Sequence, residues 1–147
     1  MKIRKISQAD QETVLSLMKE FYQSNAVLHP LPEETIRRCL QDCVRNSPYI
    51  EGYVMDVEGT IAGFAMVAKG YATEAGGICV QIEDIFIRPE FRGQGIGNQF
   101  FAYIMDKYKD TAYRFRLEVE ENNTNAIRLY KKLGFVELPY CQMIKER

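Results

Sequence analysis

The stretch from Ile78 to Tyr108 constrains this chain most. It begins as a run rich in β-branched residues, Ile78 to Ile87, which reads as a strand. A loop follows with alternating glycines, Gly93, Gly95 and Gly97. Ile96 to Tyr108 then reads as a helix whose apolar side carries Phe100, Phe101, Ile104 and Met105. A strand passed through a short loop into an amphipathic helix predicts a layered α/β arrangement. Glycines let backbone approach a ligand closely and adopt dihedrals closed to other residues. The first turn of the helix leaves its N–H groups unpaired beside the loop. Together they make an anion site suited to a phosphate or pyrophosphate, with Arg92 adding positive charge. The plainer alternative is a glycine turn that merely packs helix on sheet. A Walker loop would need Gly-Lys-Ser/Thr, which is absent, and the third glycine of a dinucleotide fingerprint is replaced by Asn98.

The rest of the chain alternates elements around this segment. Met1 to Ile6 reads as a first strand. Ser7 is a candidate N-cap, with Asp10 three residues on and Val14, Leu15, Leu17, Met18, Phe21 and Tyr22 following at helical spacing. Asn25 to Pro32 reads as a loop. Pro32 opens a second helix carrying Ile36, Leu40 and Val44, stopped by Asn46-Ser47-Pro48. Tyr49 to Val57 and Thr60 to Ala68 read as a hairpin around Glu58-Gly59, with Gly70, Gly76 and Gly77 in the next loop. Tyr113 to Val119 is a further strand, and Asn123 to Leu133 a helix closed by Gly134. Phe135 to Leu138 and Tyr140 to Ile144 read as two final strands divided by Pro139. The expected fold is α/β, one domain over residues 1–147, with a mixed, mostly antiparallel sheet and helices on both faces.

Composition narrows the function classes. The 147 residues carry a net charge of -1, so no broad basic surface for nucleic acid or membrane is expected. No apolar run approaches the roughly 18 residues of a membrane span, and no signal peptide opens the chain, which points to a cytoplasmic protein. Cys39, Cys43, Cys79 and Cys141 are expected as reduced thiols. Cys39 and Cys43 sit one helical turn apart, but a zinc site has only His29 to draw on, so small buried apolar side chains are the preferred reading.

Arg92-Gly93-Gln94-Gly95-Ile96-Gly97 resembles the R/Q-x-x-G-x-G/A pyrophosphate loop of the GNAT family of N-acetyltransferases. A second motif of that family follows in its usual order and separation, Asn123-x-x-Ala126-x-x-x-Tyr130-x-x-x-Gly134-Phe135. The resemblance is strongest from Gln81 to Phe135, and the element order extends it over the whole chain. It implies a splayed pair of central strands with acetyl-CoA in the gap as co-substrate. The pantetheine arm would pair with the strand of Ile85, Phe86 and Ile87. The backbone of Gln94, Gly95, Ile96, Gly97 and Asn98, beside Arg92 and Gly93, would hold the pyrophosphate. Many members dimerise, so a homodimer paired through the C-terminal strands is an expectation by analogy.

Four side chains are singled out around the chemistry. Attack by an amine on a thioester expels a thiolate of pKa about 8.5, whereas tyrosine titrates near 10. Tyr130 therefore stays protonated at neutral pH and can donate a proton to the departing sulfur, the role the family gives this position. Its alternative is a core tyrosine. Asn123, seven residues earlier on nearly one helix face, is placed either on the pantetheine arm or as an N-cap, and the two are compatible. An alkylammonium of pKa near 10.4 must lose a proton before it attacks, and Glu83 or Asp84 can accept it. The resemblance favours Glu83 as base. Strand alternation lets only one of the two acids face the gap, and a bulge would reverse which. For Asp84 a structural hydrogen bond is the preferred reading.

The acceptor is the least constrained part. Phe21, Tyr22, His29, Glu33, Glu34 and Tyr140 lie where the family builds its acceptor pocket. Glu33 and Glu34 suit a cationic amine but equally suit a helix N-terminus. The favoured function is direct acetyl transfer to a primary amine of a small molecule such as a polyamine. The alternatives are a protein lysine or N-terminal acetyltransferase and a non-catalytic acyl-CoA-binding sensor. No metal is implied.

Overall fold

The computed structural model describes residues 1–24 and 26–147. Asn25, the predicted start of the loop before the second helix, lies outside them. Strand β1 (Lys2–Lys5) leads through a turn of 3-10 helix into α1 (Gln11–Tyr22), followed by α2 (Glu33–Val44). Then come β2 (Ile50–Val57), β3 (Thr60–Ala72), β4 (Gly77–Ile87), α3 (Ile96–Lys107), β5 (Ala112–Leu117) and α4 (Thr124–Lys132). The sheet runs β1-β2-β3-β4-β5, antiparallel except for the parallel β4–β5 pair. Glu58 and Gly59, at φ 52° and 86°, make the tight turn between β2 and β3.

Alternation along the strands sorts the core into two layers. Val54, Phe64, Met66 and Phe86 face α1 and α2, where Val14, Met18, Ile36 and Leu40 meet them. Tyr53, Met55, Ala65, Val67, Val80 and Ile82 face α3, against Ile96, Phe100, Phe101 and Ile104. Two buried carboxylates clamp the ends of this assembly. Asp10 accepts from Arg4 at 2.7 and 2.9 Å and from the backbone N–H of Ser7 at 2.8 Å, fixing β1 to the start of α1. Glu51 accepts from Lys107 at 2.8 Å and Tyr108 at 2.6 Å, tying the end of α3 to the sheet. Burial works to raise Glu51, but its bonds to Lys107, Tyr108, Tyr53 and Lys5 outweigh that and hold it well below the usual carboxylate range.

The structure corrects the sequence at several places. Gly70 lies inside β3, which runs to Ala72. The glycine itself suggested a loop, but antiparallel pairing with Cys79 carries the strand onward. Phe135 to Leu138 and Tyr140 to Ile144 form no strand. Phe135 packs inward, with its ring 5.9 Å from Phe101, but Val136, Met143 and Ile144 are 83%, 93% and 84% exposed. Alternation that buries no face fixes no register, and Pro139 removes a donor from the middle. Cys43 is buried and places its Sγ 3.8 Å from the sulfur of Met66, whereas Cys141 is exposed rather than packed. Met66 is fully buried, and Met105 packs at the core's edge.

Candidate active site

The parallel pairing of β4 with β5 ends at Ile82 opposite Leu117. Beyond it, Asp84 to Ile87 keep their β3 partners, Met66 to Gly63, but have none in β5. Their outer backbone edge therefore opens on a gap between the two strands. This is the splay, and it lies along Ile85, Phe86 and Ile87.

A bulge decides which side chains line it. Opposite Met66 and Val67 of β3 stand Asp84 and Ile82, so Glu83 is the extra residue. Val80 and Ile82 face α3, but after the bulge the parity reverses. Ile85 and Ile87 now take the α3 side, while Phe86 faces α1 and α2. Asp84 turns the same way as Phe86 and accepts a hydrogen bond from the phenol of Tyr22 at 2.7 Å. Glu83 is left exposed at the mouth of the gap. Burial of its carboxyl, then the charges of Asp84 and Glu118, push its pKa up against the pull of Arg116. Burial also raises Asp84, and the bond from Tyr22 works the other way.

The glycine loop sits at the end of β4. Gly93 and Gly95 have φ of 75° and 76°, the left-handed region, and a Cβ built on either would meet nothing within 4 Å. Gly95 is the N-cap of α3. Gly97 differs: its φ is ordinary, and a Cβ there would lie 3.5 Å from Leu129 and 3.7 Å from Ile87. It lets α3, β4 and α4 close together rather than supplying an unusual dihedral. Among the described residues, no backbone N–H from Gly93 through Asn98 donates a hydrogen bond. Six consecutive free N–H groups at a helix N-terminus, with open space beside Gly93 and Gly95, suit a pyrophosphate. Arg92 donates to the carbonyl of Ile87 at 2.9 Å and lies 5.7 Å over the ring of Phe86, so its charge is braced between loop and strand. Gln94 donates its side chain to the carbonyl of Glu90 at 3.2 Å, leaving its N–H to the loop.

Helix α4 supplies the remaining residues. Asn123 is its N-cap, the side-chain oxygen accepting from Ala126 at 3.3 Å. Tyr130 is half-buried, with its ring 5.5 Å from Phe101 and 6.1 Å from Phe135, both edge-to-face. Burial raises its pKa. No hydrogen bond is made by its hydroxyl among the described residues, and none of their buried side-chain polar atoms lacks a partner. The hydroxyl therefore reaches accessible space, protonated and available.

A profile of the acetyltransferase (GNAT) family matches residues 12–135. The chain belongs to that family. It is 30% identical to the thialysine N-epsilon-acetyltransferase of Sus scrofa over 92% of this chain and 84% of that protein. It is also 30% identical to the spermine/spermidine N(1)-acetyltransferase of Bacillus subtilis (strain 168), over 69% of each. In fold it is similar to a possible acetyltransferase from Clostridium difficile 630, with a TM-score of 0.85, 20% identity, and coverage of 99% of this chain and 97% of that one. The protein is an N-acetyltransferase with acetyl-CoA as co-substrate.

The acceptor-side residues scatter in this N-acetyltransferase. Phe21 is core, and its ring packs 6.0 Å from Phe64 and from Phe86. Glu33 is held by Lys19 and by Arg37 at 2.8 Å, a clasp between α1 and α2. His29 and Glu34 are exposed, and the hydroxyl of Tyr140 lies 3.5 Å from Glu74, well away along the chain. Tyr22 alone reaches the gap. Its bond to Asp84, and the neighbouring Arg116 and Glu118 at the end of β5, carry no local sequence signal. A groove of about 480 Å³ lined by Tyr49, Lys69, Tyr71, Ile78 and Tyr108 lies among residues away from the glycine loop. No helix of the described residues is long and apolar enough to cross a membrane.

Proposed function

We propose that this N-acetyltransferase moves acetyl directly from acetyl-CoA to a primary amine of a small cationic molecule, a polyamine or basic amino acid. The amine nitrogen attacks the thioester carbonyl, a C–N bond forms, and the C–S bond breaks. Glu83 accepts the proton that the nitrogen loses, and Tyr130 gives the departing sulfur a proton that solvent then restores. The free N–H groups of Gly93 through Asn98 anchor the donor's pyrophosphate, Arg92 adds charge, and the open edge of Ile85 to Ile87 lies along the pantetheine arm. Asn123 fixes the first turn of α4 and so the line on which Tyr130 stands. Much of the rate comes from holding the reactants together.

The observation that carries the reading is the exposed carboxyl of Glu83 at the mouth of the splay, with Asp84 and Glu118 adding negative charge around it and the one cation Arg116 offsetting part of it. A negative field of that kind draws an ammonium and favours its approach. The names of the similar thialysine and polyamine acetyltransferases support the same substrate class. The test is thiol release from acetyl-CoA against polyamines, basic amino acids, aminoglycosides and lysine peptides, after calorimetry has measured donor binding. Release with small cationic amines is expected. Release with peptides alone would make it a protein acetyltransferase, and donor binding without release against any amine would make it a sensor.

A further inference from the structure

Two adjacent carboxylates stand at the gap, and the mechanism above gives a proton to only one of them, Glu83. The bulge at Glu83 gives them different surroundings. Glu83 is exposed at the mouth, beside Arg116 and Glu118 of the β5 end. Asp84 is turned toward α1 and α2 and is half-buried, its Oδ2 held by Tyr22 at 2.7 Å. Its other oxygen, Oδ1, accepts no hydrogen bond among the described residues, and none of their buried side-chain oxygens is without a partner. Oδ1 therefore opens on accessible space. A carboxylate held by one oxygen and open at the other is arranged to bind a cation, since it is oriented beforehand and has acceptor capacity left.

Three titratable groups face Asp84: Tyr22 from α1, Cys39 from α2, and Glu83 beside it in β4. Met66, opposite it in β3, carries no charge. None of these is a cation, so among them Asp84 has no counter-ion of its own. The Cα atoms of neighbouring strand residues are about 3.8 Å apart. The bulge turns the two side chains apart, Glu83 to the mouth of the gap and Asp84 toward Tyr22, so each carboxylate can receive its own cationic centre.

We propose that Asp84, steadied by Tyr22, selects the acceptor by receiving a second cationic centre of the amine while Glu83 serves the reacting nitrogen. The preferred acceptors are then diamines, polyamines and basic amino acids over monoamines of equal length. This rests on the assignment of Glu83 and on acetyl transfer to small amines. Tyr22 acts through Asp84 and is a positioning residue.

The experiment compares a linear diamine with the monoamine of the same chain length, in the wild type, Asp84→Asn and Tyr22→Phe. In the wild type the diamine has the lower KM. Asp84→Asn raises the diamine KM by at least about tenfold. It raises the monoamine KM several-fold less, because that amine loses only the general negative field, and it leaves the acetyl-CoA Kd within about twofold. Tyr22→Phe removes a bond that favours the ionised carboxylate, so the acid-side rise of the diamine KM moves to higher pH. Asp84→Asn abolishes that rise. Equal loss for both amines, or no loss for either, overturns the proposal while leaving acetyl transfer intact. Absence of amine-dependent thiol release in the wild type refutes the proposed function itself.

Discussion

Replacing Glu83 with glutamine tests the chemistry most directly, because it keeps the shape of the side chain and removes its charge together with its ability to take a proton. An alkylammonium of pKa about 10.4 is neutral in roughly one molecule in 2,500 at pH 7. An enzyme with a placed base can bind the abundant ammonium form and deprotonate it in place, and general base catalysis is worth about 10²–10⁴ in rate. The surroundings of Glu83 bear on where that begins. Burial and the charges of Asp84 and Glu118 raise its pKa above the ordinary 4.5. Wild-type kcat/KM should therefore rise through a carboxyl pKa above 4.5 and then level off through neutral pH. Glu83→Gln should lose about 10²–10⁴ at pH 7, then regain about tenfold per pH unit as neutral amine accumulates toward pH about 10.4. Continuous thiol release across this range, with acetyl-CoA affinity checked by calorimetry, measures both profiles. A variant that keeps the wild-type plateau, or one that loses the same factor at every pH, would refute the assignment of Glu83 as base.

Tyr130→Phe should lower kcat about a hundredfold at neutral pH while leaving the acetyl-CoA Kd within about twofold. Because burial raises Tyr130, the alkaline limb of the wild-type kcat profile should lie above pH 10, and single-turnover rates locate it. Gly95→Val places a β-branched residue at φ 76°, a conformation costing about 1–2 kcal/mol, so donor affinity by calorimetry should fall by roughly tenfold. Asp10→Asn removes a carboxylate that accepts from Arg4 and Ser7 and should cost about 1–3 kcal/mol of stability at pH 7 in urea unfolding. The bond from Arg4, ahead of the opposing effect of burial, holds Asp10 well below its ordinary range. That stability is present above about pH 4 and is lost as the pH falls, so the gap between wild type and variant should narrow in acid.

Much of the proposed donor side was legible as local structure in the sequence. Gly93 and Gly95 sit where the chain needs positive φ, the helix that follows begins where the apolar spacing begins, and Asn123 caps α4 with its own side chain. Such features depend on a few neighbouring residues and survive being read one after another. The acceptor side was not legible, since Tyr22 and Asp84 are 62 residues apart and Arg116 and Glu118 reach the gap from another strand. The tail failed for a related reason: Phe135 to Ile144 has strand-like residues, but pairing is a property of two segments, and composition describes one.

Sequence alone thus determined the order of elements as far as α4, the glycine loop at the start of α3 and the titratable groups placed at Glu83 and Tyr130. The tertiary structure decided which way that chemistry faces. One extra residue in β4, set by its register against Met66 and Val67, turns Asp84 toward Tyr22, leaves Glu83 at the mouth of the gap, and moves Ile85 and Ile87 to the other side. Side chains alternate with a period of two, so a single bulge reverses every assignment after it, and only the partner strand specifies where the bulge falls.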